Sequence, residues 1–150
     1  MKQLLVLAVI VVIASAQSES PGTHCVLMAG VGCGNLVVHK TKRSDFLGNA
    51  EAEKRFASEG LNFSFGPDEV LDTIVATGKI FKTNLGIHPG DEEKQVQRVY
   101  GTGTVEKGTL SKGDVPIGTI GDRILCYSGI RFVIVKDRVW AIEIVRASKG

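Results

Sequence analysis

The chain has 150 residues and a mass of 16.0 kDa, which is enough for one ordinary domain or for two very small units that share a core. Apolar residues make up 43% and charged residues 23%, a balance that excludes a disordered tail and a polytopic membrane protein. The formal charge of +2 argues against nucleic acid as the main partner, because phosphate binding needs a concentrated basic face.

Residues 1–16 have the pattern of a secretory signal peptide. Lys2 is basic, an unbroken apolar run extends from Leu4 to Ile13, and Ala14 and Ala16 are the small residues that a signal peptidase reads. Such a run spans only ~15 Å as a helix, which is about half of a bilayer core. We therefore expect cleavage before residue 17 and an exported protein, periplasmic or extracellular. An uncleaved shallow anchor and a lipid-anchored cysteine are the alternatives.

Three cysteines follow the signal, namely Cys25, Cys33 and Cys126. In an oxidising compartment they allow one internal disulfide and leave one thiol. A bridge between Cys25 and Cys33 closes a small loop, whereas a bridge from either of them to Cys126 ties the amino-terminal segment to the second half. The sequence leaves this choice open. The spacing typical of structural zinc is absent, so we expect no metal and no cofactor.

The first half of the chain predicts one helix and one hairpin. Residues 17–30 are expected to be loop-like, and a first repeat unit is expected at 31–78. Its entry strand is predicted at Leu36–Val38, and a short helix is predicted from a Thr41 cap to a Gly48 stop. Alternating apolar residues over 60–65 and 70–76, separated by a Gly-Pro-Asp turn, predict a β-hairpin.

The second half, residues 79–150, predicts the same order of elements. A less regular entry strand is predicted at Ile80–Ile87, and a helix is predicted between Asp91 as cap and Gly101 as terminator. A second hairpin is predicted over 129–134 and 139–145, with its turn at 136–138. Between helix and hairpin lies a glycine-rich insertion, residues 102–122, in which 115–120 is a candidate added strand. It lacks the Gly-Lys-Ser/Thr of a phosphate-binding loop.

The two hairpins share identities at a fixed spacing of 69 residues. The matches are Gly60 with Gly129, Phe63 with Phe132, and Asp68 with Asp137. One hairpin with one short helix buries too little surface to be stable alone. We therefore predict an α+β fold of two duplicated helix-plus-antiparallel-hairpin units, which form a continuous sheet with helices on one face.

The stretch Gly90-Asp91, Val96, Tyr100-Gly101 and the strands around Phe132 resemble a class of exported bacterial proteins. The resemblance is to the tandem helix-plus-sheet units of the β-lactamase inhibitor protein and to small outer-membrane lipoproteins of the OmlA/SmpA type. It covers roughly residues 30–147 and implies an α+β sandwich that binds another protein, with no catalytic residues. The short first helix and the long insertion depart from that pattern, so inhibitor activity is not carried over.

No nucleophile elbow, zinc-protease helix or paired zinc-ligand spacing is present in the sequence. The candidate binding residues are Lys107, Lys112 and Asp114 in the insertion and Trp140 in the last strand. The expected function is an exported, soluble, non-catalytic binding module, with another protein as partner and the exposed sheet face as its surface. A cell-envelope assembly factor and an enzyme with an unrecognised active site are the alternatives.

Overall fold

The computed structural model describes residues 25–46, 50–106 and 123–147, which form an α+β fold with two sheets. The strands are β1 (Val26–Met28), β2 (Gly32–Cys33), β3 (Leu36–Val37), β4 (Leu61–Phe65), β5 (Leu71–Ala76), β6 (Lys82–Thr83), β7 (Thr104–Glu106), β8 (Arg123–Tyr127), β9 (Ile130–Val135) and β10 (Arg138–Ile144). The helices are α1 (Arg43–Phe46), α2 (Ala50–Glu59) and α3 (Glu93–Tyr100). The signal segment and the candidate strand at 115–120 lie outside the described residues.

The large sheet is antiparallel throughout, in the order β4-β5-β10-β9-β8-β7. Both predicted hairpins are present, as β4–β5 and β9–β10. Phe63 faces Ile74 in the first hairpin, and Phe132 faces Ile142 in the second. The two phenylalanine side chains are buried, as predicted, with 5% and 0% exposed. Strands β7 and β8 extend the sheet beyond the second hairpin and were not predicted.

The hairpins meet where β5 pairs with β10. Val75 lies opposite Glu143, with Ile74 opposite Ile144 on one side and Ala76 opposite Ile142 on the other. Ile74 and Ile142 hold matching positions in their hairpins, because each lies opposite a buried phenylalanine. The register of the β5–β10 pair is therefore symmetric about Val75 and Glu143. The two hairpins form one continuous sheet through this contact.

The β9–β10 turn contains two residues with positive φ. Lys136 has φ 48° and Asp137 has φ 59°. Two consecutive positive φ angles characterise the type I′ turn, whose twist matches that of the flanking strands. In the β4–β5 turn, Asp68 Oδ1 instead accepts the backbone N–H of Val70 at 3.3 Å. Both turns lie where the sequence predicts them.

Helix α3 confirms the predicted second helix and corrects its cap. Asp91 Oδ2 accepts the N–H of His88 at 2.8 Å, so this carboxylate orders the preceding turn. No side chain caps the helix at Glu92. The predicted terminator is correct, because Gly101 has φ 79° and its N–H donates to the carbonyl of Gln97.

The first half contains two helices where the sequence predicts one. The four-residue α1 lies within the predicted 41–48 region, of which residues 41–46 are described, and the Thr41 hydroxyl accepts the N–H of Val37 at 2.9 Å instead of capping a helix. The longer helix is α2, which ends at Glu59 and is followed by Gly60 with φ 85°. Its Phe56 ring packs edge-on against Phe63, with ring centroids 5.5 Å apart. Tertiary packing on the hairpin therefore decides where the helix lies.

A small second sheet, in the order β3-β2-β1-β6, covers part of the same core. Residues 17–30, expected to be loop-like, contain its strand β1. Cys25 and Cys33 form a disulfide across this sheet with Cα atoms 5.3 Å apart, which resolves the open cysteine pairing. Phe56 of α2, Val96 of α3 and Leu27 of β1 join one hydrophobic cluster with the hairpins. Helices α2 and α3 and the small sheet thus pack on the same face of the large sheet.

Candidate functional site

An open groove lies where the start of α3, the β9–β10 turn and the start of β8 converge. Its volume is about 440 Å³. All of its lining residues are charged or polar: Glu92, Glu93, Lys94, Gln97, Arg123, Lys136, Asp137 and Arg138. Three backbone elements fix these side chains, so the groove is built into the rim of the sheet.

Arg123 is the central cation of the groove. Its guanidinium donates to the carboxylate of Glu93 and, at 2.7 Å, to Asp137 Oδ1. Hydrogen bonding to Glu93, then to Asp137, raises the pKa of Arg123 further above its usual range. The Glu93 side chain is only 10% exposed and also accepts Gln97 Nε2 at 3.0 Å. Arg123 therefore joins a buried carboxylate on α3 to an exposed one on the hairpin turn.

Backbone contacts hold the helix start against the same turn. The N–H of Glu93 donates to the carbonyl of Asp137 at 3.0 Å, and Glu92 forms an isolated bridge with Arg138. Arg138 Nη1 donates to the carbonyl of Gly90 at 3.0 Å. The spacing between the two carboxylates that Arg123 binds is thus set by main-chain hydrogen bonds.

The candidate binding residues predicted from the sequence include none of Glu92, Glu93 and Arg123. Asp137 was identified, as part of a turn. Arg123 lies 30 residues from Glu93, so no local pattern links them. The signal that could have indicated the site is Asp137, which matches Asp68 of the first hairpin. The residues on either side of Asp137, Lys136 and Arg138, are both basic.

The candidate residues Lys107, Lys112 and Asp114 lie outside the described residues. The described chain stops at Glu106 in β7 and resumes at Arg123 in β8. Glu106 pairs with Ile124, the neighbour of Arg123. The glycine-rich insertion therefore leaves and rejoins the large sheet beside the groove.

Trp140 lies on β10, half-buried, and packs against a second hydrophobic cluster. That cluster consists of Val75, Ile124, Val133 and Ala141, which are 0–5% exposed. These residues lie on the face of the large sheet that points away from the helices, which the sequence predicts to be open to solvent. At the central strands this expectation is wrong, and Trp140 contributes to covering them.

Cys126 is the free thiol of the chain and lies on the same face as Trp140. Burial raises the pKa of this thiol, and the neighbouring Glu106 carboxylate raises it further. Its cross-strand neighbour Arg131 lies 3.4 Å from the carboxylate of Glu143, which is 3% exposed. A thiol in this setting is protonated at neutral pH and is a weak nucleophile.

The two described histidines contact different groups. His39 Nε2 lies 3.7 Å from Asp72 Oδ1, and His88 Nδ1 lies 3.1 Å from the carbonyl of Lys79. Among the described residues, no group of three or more His, Cys, Asp or Glu side chains is placed to hold a metal ion. No helix in the described ranges is long and apolar enough to cross a membrane.

No protein-family model, curated protein or solved structure matches this chain.

Proposed function

We propose that this chain is an exported, non-catalytic binding module that recognises the polar surface of another protein at the Arg123 groove. The observation that carries the proposal is the Arg123 bridge at the root of the insertion. It fixes charges of both signs at the rim of a rigid sheet. Loops on such scaffolds are the usual place for recognition.

The groove suits a protein surface better than a small molecule. Small-molecule pockets are mostly apolar, with few polar groups, whereas all lining residues here are charged or polar. Fixed and complementary charges across an interface give specificity and orientation. The start of α3 (Glu92, Glu93, Lys94) and the turn (Lys136, Asp137, Arg138) each present charges of both signs, which supply that pattern.

A duplication explains how the groove arose. Asn35-Leu36 and Val38-His39 recur as Asn84-Leu85 and Ile87-His88, each 49 residues later. The backbone contacts recur as well. In the first unit the N–H groups of His39 and Arg43 donate to the carbonyls of Leu71 and Glu69. In the second, the N–H groups of Gly90 and Glu93 donate to the carbonyls of Val139 and Asp137, so the matching donors are one or two residues further along than the 49-residue spacing gives. These parallels support two copies of one helix-plus-hairpin unit.

The equivalent positions carry different charges in the two units. In the first, Arg43 pairs directly with Glu69 at 2.9 Å. In the second, the residues that make the matching backbone hydrogen bond are Glu93 and Asp137, both acidic, although Asp137 aligns with Asp68 in the sequence, and Arg123 from β8 lies between them. The groove therefore occurs where the second unit differs from the first, which is the expected place for an acquired binding role.

An exported location fits the amino-terminal signal pattern and the Cys25–Cys33 disulfide, since disulfides persist in oxidising compartments. Affinity capture from envelope extract tests the binding role. The test variant is Lys94→Glu/Lys136→Glu, which reverses charges in the groove, and Lys54→Glu on exposed α2 is the control. We expect the groove variant to lose a salt-sensitive partner that the wild type and the control retain. Equal capture by all three chains, or substrate turnover by the wild type, would contradict the proposal.

A further inference from the structure

The small sheet carries most of the large apolar side chains that are exposed in the described chain. Met28 is 46% exposed, Val31 44%, Ile80 60% and Leu85 49%. All four belong to this sheet or to the turns that connect it. Exposed apolar side chains that gather on one element mark an interaction surface.

These side chains project from the outward side of the small sheet and from its turns. Leu27 points into the core, so Val26 and Met28 on either side of it point outward. Lys82 pairs with Val26 and therefore projects in the same direction. Ile80 and Leu85 lie in the two turns that flank β6. Ile80 is followed by the buried Phe81, and Leu85 lies between the buried Thr83 and Ile87.

The lysines of the small sheet and its connecting turns are not balanced by any acidic residue in the same segments. Residues 25–42 and 77–90 contain Lys40, Lys42, Lys79 and Lys82 and no aspartate or glutamate. All four lysines are exposed. The described chain shows no ion pair for Lys79 or Lys82, which flank the highly exposed Ile80. In the described chain, the Asp72 carboxylate contacts the small-sheet segments at His39, and the Asp91 carboxylate contacts them at His88.

We infer that this face, defined by Met28, Val31, Lys79, Ile80, Lys82 and Leu85, docks on the surface of an anionic phospholipid bilayer. Lysines attract a negatively charged headgroup layer, and apolar side chains then enter the headgroup boundary. Three of the four apolar residues, Val31, Ile80 and Leu85, form separate tips at turns, and Ile80 directly follows Lys79. Such tips can each enter a bilayer, whereas a protein interface has a closely packed apolar centre.

The docking face and the Arg123 groove belong to different sheets and share no residue. The chain can therefore hold a membrane surface with one layer and a protein partner with the other. Such an arrangement places a binding module at a cell envelope without a membrane-spanning helix. Membrane docking is independent of partner capture, so either proposal can fail while the other stands.

Vesicle flotation tests the inference. The chain is recovered after export, its amino terminus is identified by mass spectrometry, and it is mixed with vesicles of phosphatidylglycerol and phosphatidylcholine or of phosphatidylcholine alone. We expect salt-sensitive binding to the anionic vesicles only. Lys79→Gln/Lys82→Gln should weaken binding about thirtyfold, because each lysine near an anionic surface raises the affinity for it about fivefold.

The apolar contribution is tested separately with Ile80→Ser/Leu85→Ser, which should weaken binding about tenfold or more while leaving the salt dependence in place. The matched controls are Lys54→Gln/Arg98→Gln for charge and Val99→Ser/Val105→Ser for exposed apolar area. Both controls should bind within about twofold of the wild type. Thermal midpoints confirm that each variant is folded, and the single Ile80→Ser variant replaces the double one if its midpoint falls.

Three outcomes would overturn the inference. These are equal binding to neutral vesicles, no binding of the folded wild type to anionic vesicles, and equal losses in test and control variants. The membrane assignment is also wrong if the wild type does not float with vesicles but captures an acidic protein from the extract that the lysine variant does not capture. In that case the face binds protein.

Discussion

Val75 and Glu143 face each other at the midpoint of the β5–β10 pair, and the register on either side of them is symmetric. A symmetric antiparallel register is what two identical hairpins would adopt about a two-fold axis. Under the proposed duplication, the present chain therefore has the geometry of a fused dimer. The two positions differ in chemistry: Val75 is apolar, whereas the carboxylate of Glu143 lies 3.4 Å from Arg131.

Two glycines, each directly before the first strand of a hairpin, give the first prediction. Gly60 and Gly129 have φ of 85° and 76°, and a Cβ on either would collide with the backbone of Gly78 or Gly30. Gly86 has a similar φ of 83° but open space around it. We expect Gly60→Ala and Gly129→Ala each to lower the free energy of unfolding by more than about 2 kcal/mol, and Gly86→Ala by about 1 kcal/mol.

Urea unfolding at neutral pH measures all three variants. Equal losses would mean that the positive φ alone matters and that the close approach of the backbones does not.

The two phenylalanines at matching register positions give the second prediction. Phe63 and Phe132 are both buried opposite an isoleucine of the neighbouring strand. We expect Phe63→Ala and Phe132→Ala each to lower the free energy of unfolding by about 3–5 kcal/mol. The exposed Val99→Ala should change it by less than about 0.5 kcal/mol. A small effect at either phenylalanine would show that the site collapses to fill the space.

The sequence was sufficient for the hairpins because their signals are local. Alternation over 60–65 and 70–76 and a Gly-Pro-Asp turn determine one hairpin regardless of the rest of the chain. Helix α2 was not predictable in the same way, because its few apolar residues form no continuous stripe. Phe56 is its described buried contact with the core. Gly48 was therefore taken as a stop before a helix that begins at Ala50.

The groove can be identified only from the folded structure. Glu93, Arg123 and Asp137 come from a helix, a strand and a turn, and nothing in their spacing indicates that they meet. The recurrence of Asn-Leu-x-Val/Ile-His at 35–39 and 84–88 was visible in the sequence. A one-residue slip between the two halves obscures the alignment beyond the two histidines. The predicted binding lysines of the glycine-rich insertion lie outside the described residues.

The Arg123 bridge gives the third prediction. Replacing Arg123 with glutamine leaves the nearly buried Glu93 carboxylate without its cation and next to Asp137. We expect a loss of about 1–3 kcal/mol in the free energy of unfolding, because an unpaired buried acceptor carries its full desolvation penalty. Arg98→Gln on the exposed side of the same helix is the control and should change little.

A double variant separates the bridge from a general effect of losing a cation. Adding Glu93→Gln to Arg123→Gln removes the unpaired charge and should restore part of the stability. If the double variant is as unstable as the sum of the single ones, Glu93 and Arg123 are not coupled.

The disulfide gives the fourth prediction. The Cys25–Cys33 bridge spans a sequence separation of 8 residues. A loop of that size stabilises the folded chain by about 2–3 kcal/mol in the chain-entropy view. We expect Cys25→Ser/Cys33→Ser to lose about this much, and a thiol reagent under denaturing, non-reducing conditions to find one thiol in the wild type and none in Cys126→Ser. Labelling of Cys25 or Cys33 in the wild type would contradict the pairing.

The two tyrosines give the fifth prediction, which concerns alkaline pH. Burial raises the pKa of Tyr127 and of Tyr100 above the usual value of 10.0. Their rings lie 5.3 Å apart, and the Tyr127 hydroxyl donates to the Gly101 carbonyl at 2.9 Å. Above about pH 10 the unfolded chain loses these protons first, so the free energy of unfolding falls as the pH rises.

The Tyr100→Phe/Tyr127→Phe variant contains no tyrosine and isolates this effect. At pH 7 its free energy of unfolding should be lower than that of the wild type by about 1 kcal/mol, because the hydrogen bond from the Tyr127 hydroxyl to the Gly101 carbonyl is lost. Between pH 9 and pH 11 its stability should fall less steeply, because only the wild type has tyrosines that resist ionisation in the folded state. The comparison is made in a Cys126→Ser background, since burial also raises the pKa of that thiol. Parallel pH profiles for the two chains would show that the folded tyrosines ionise as freely as the unfolded ones.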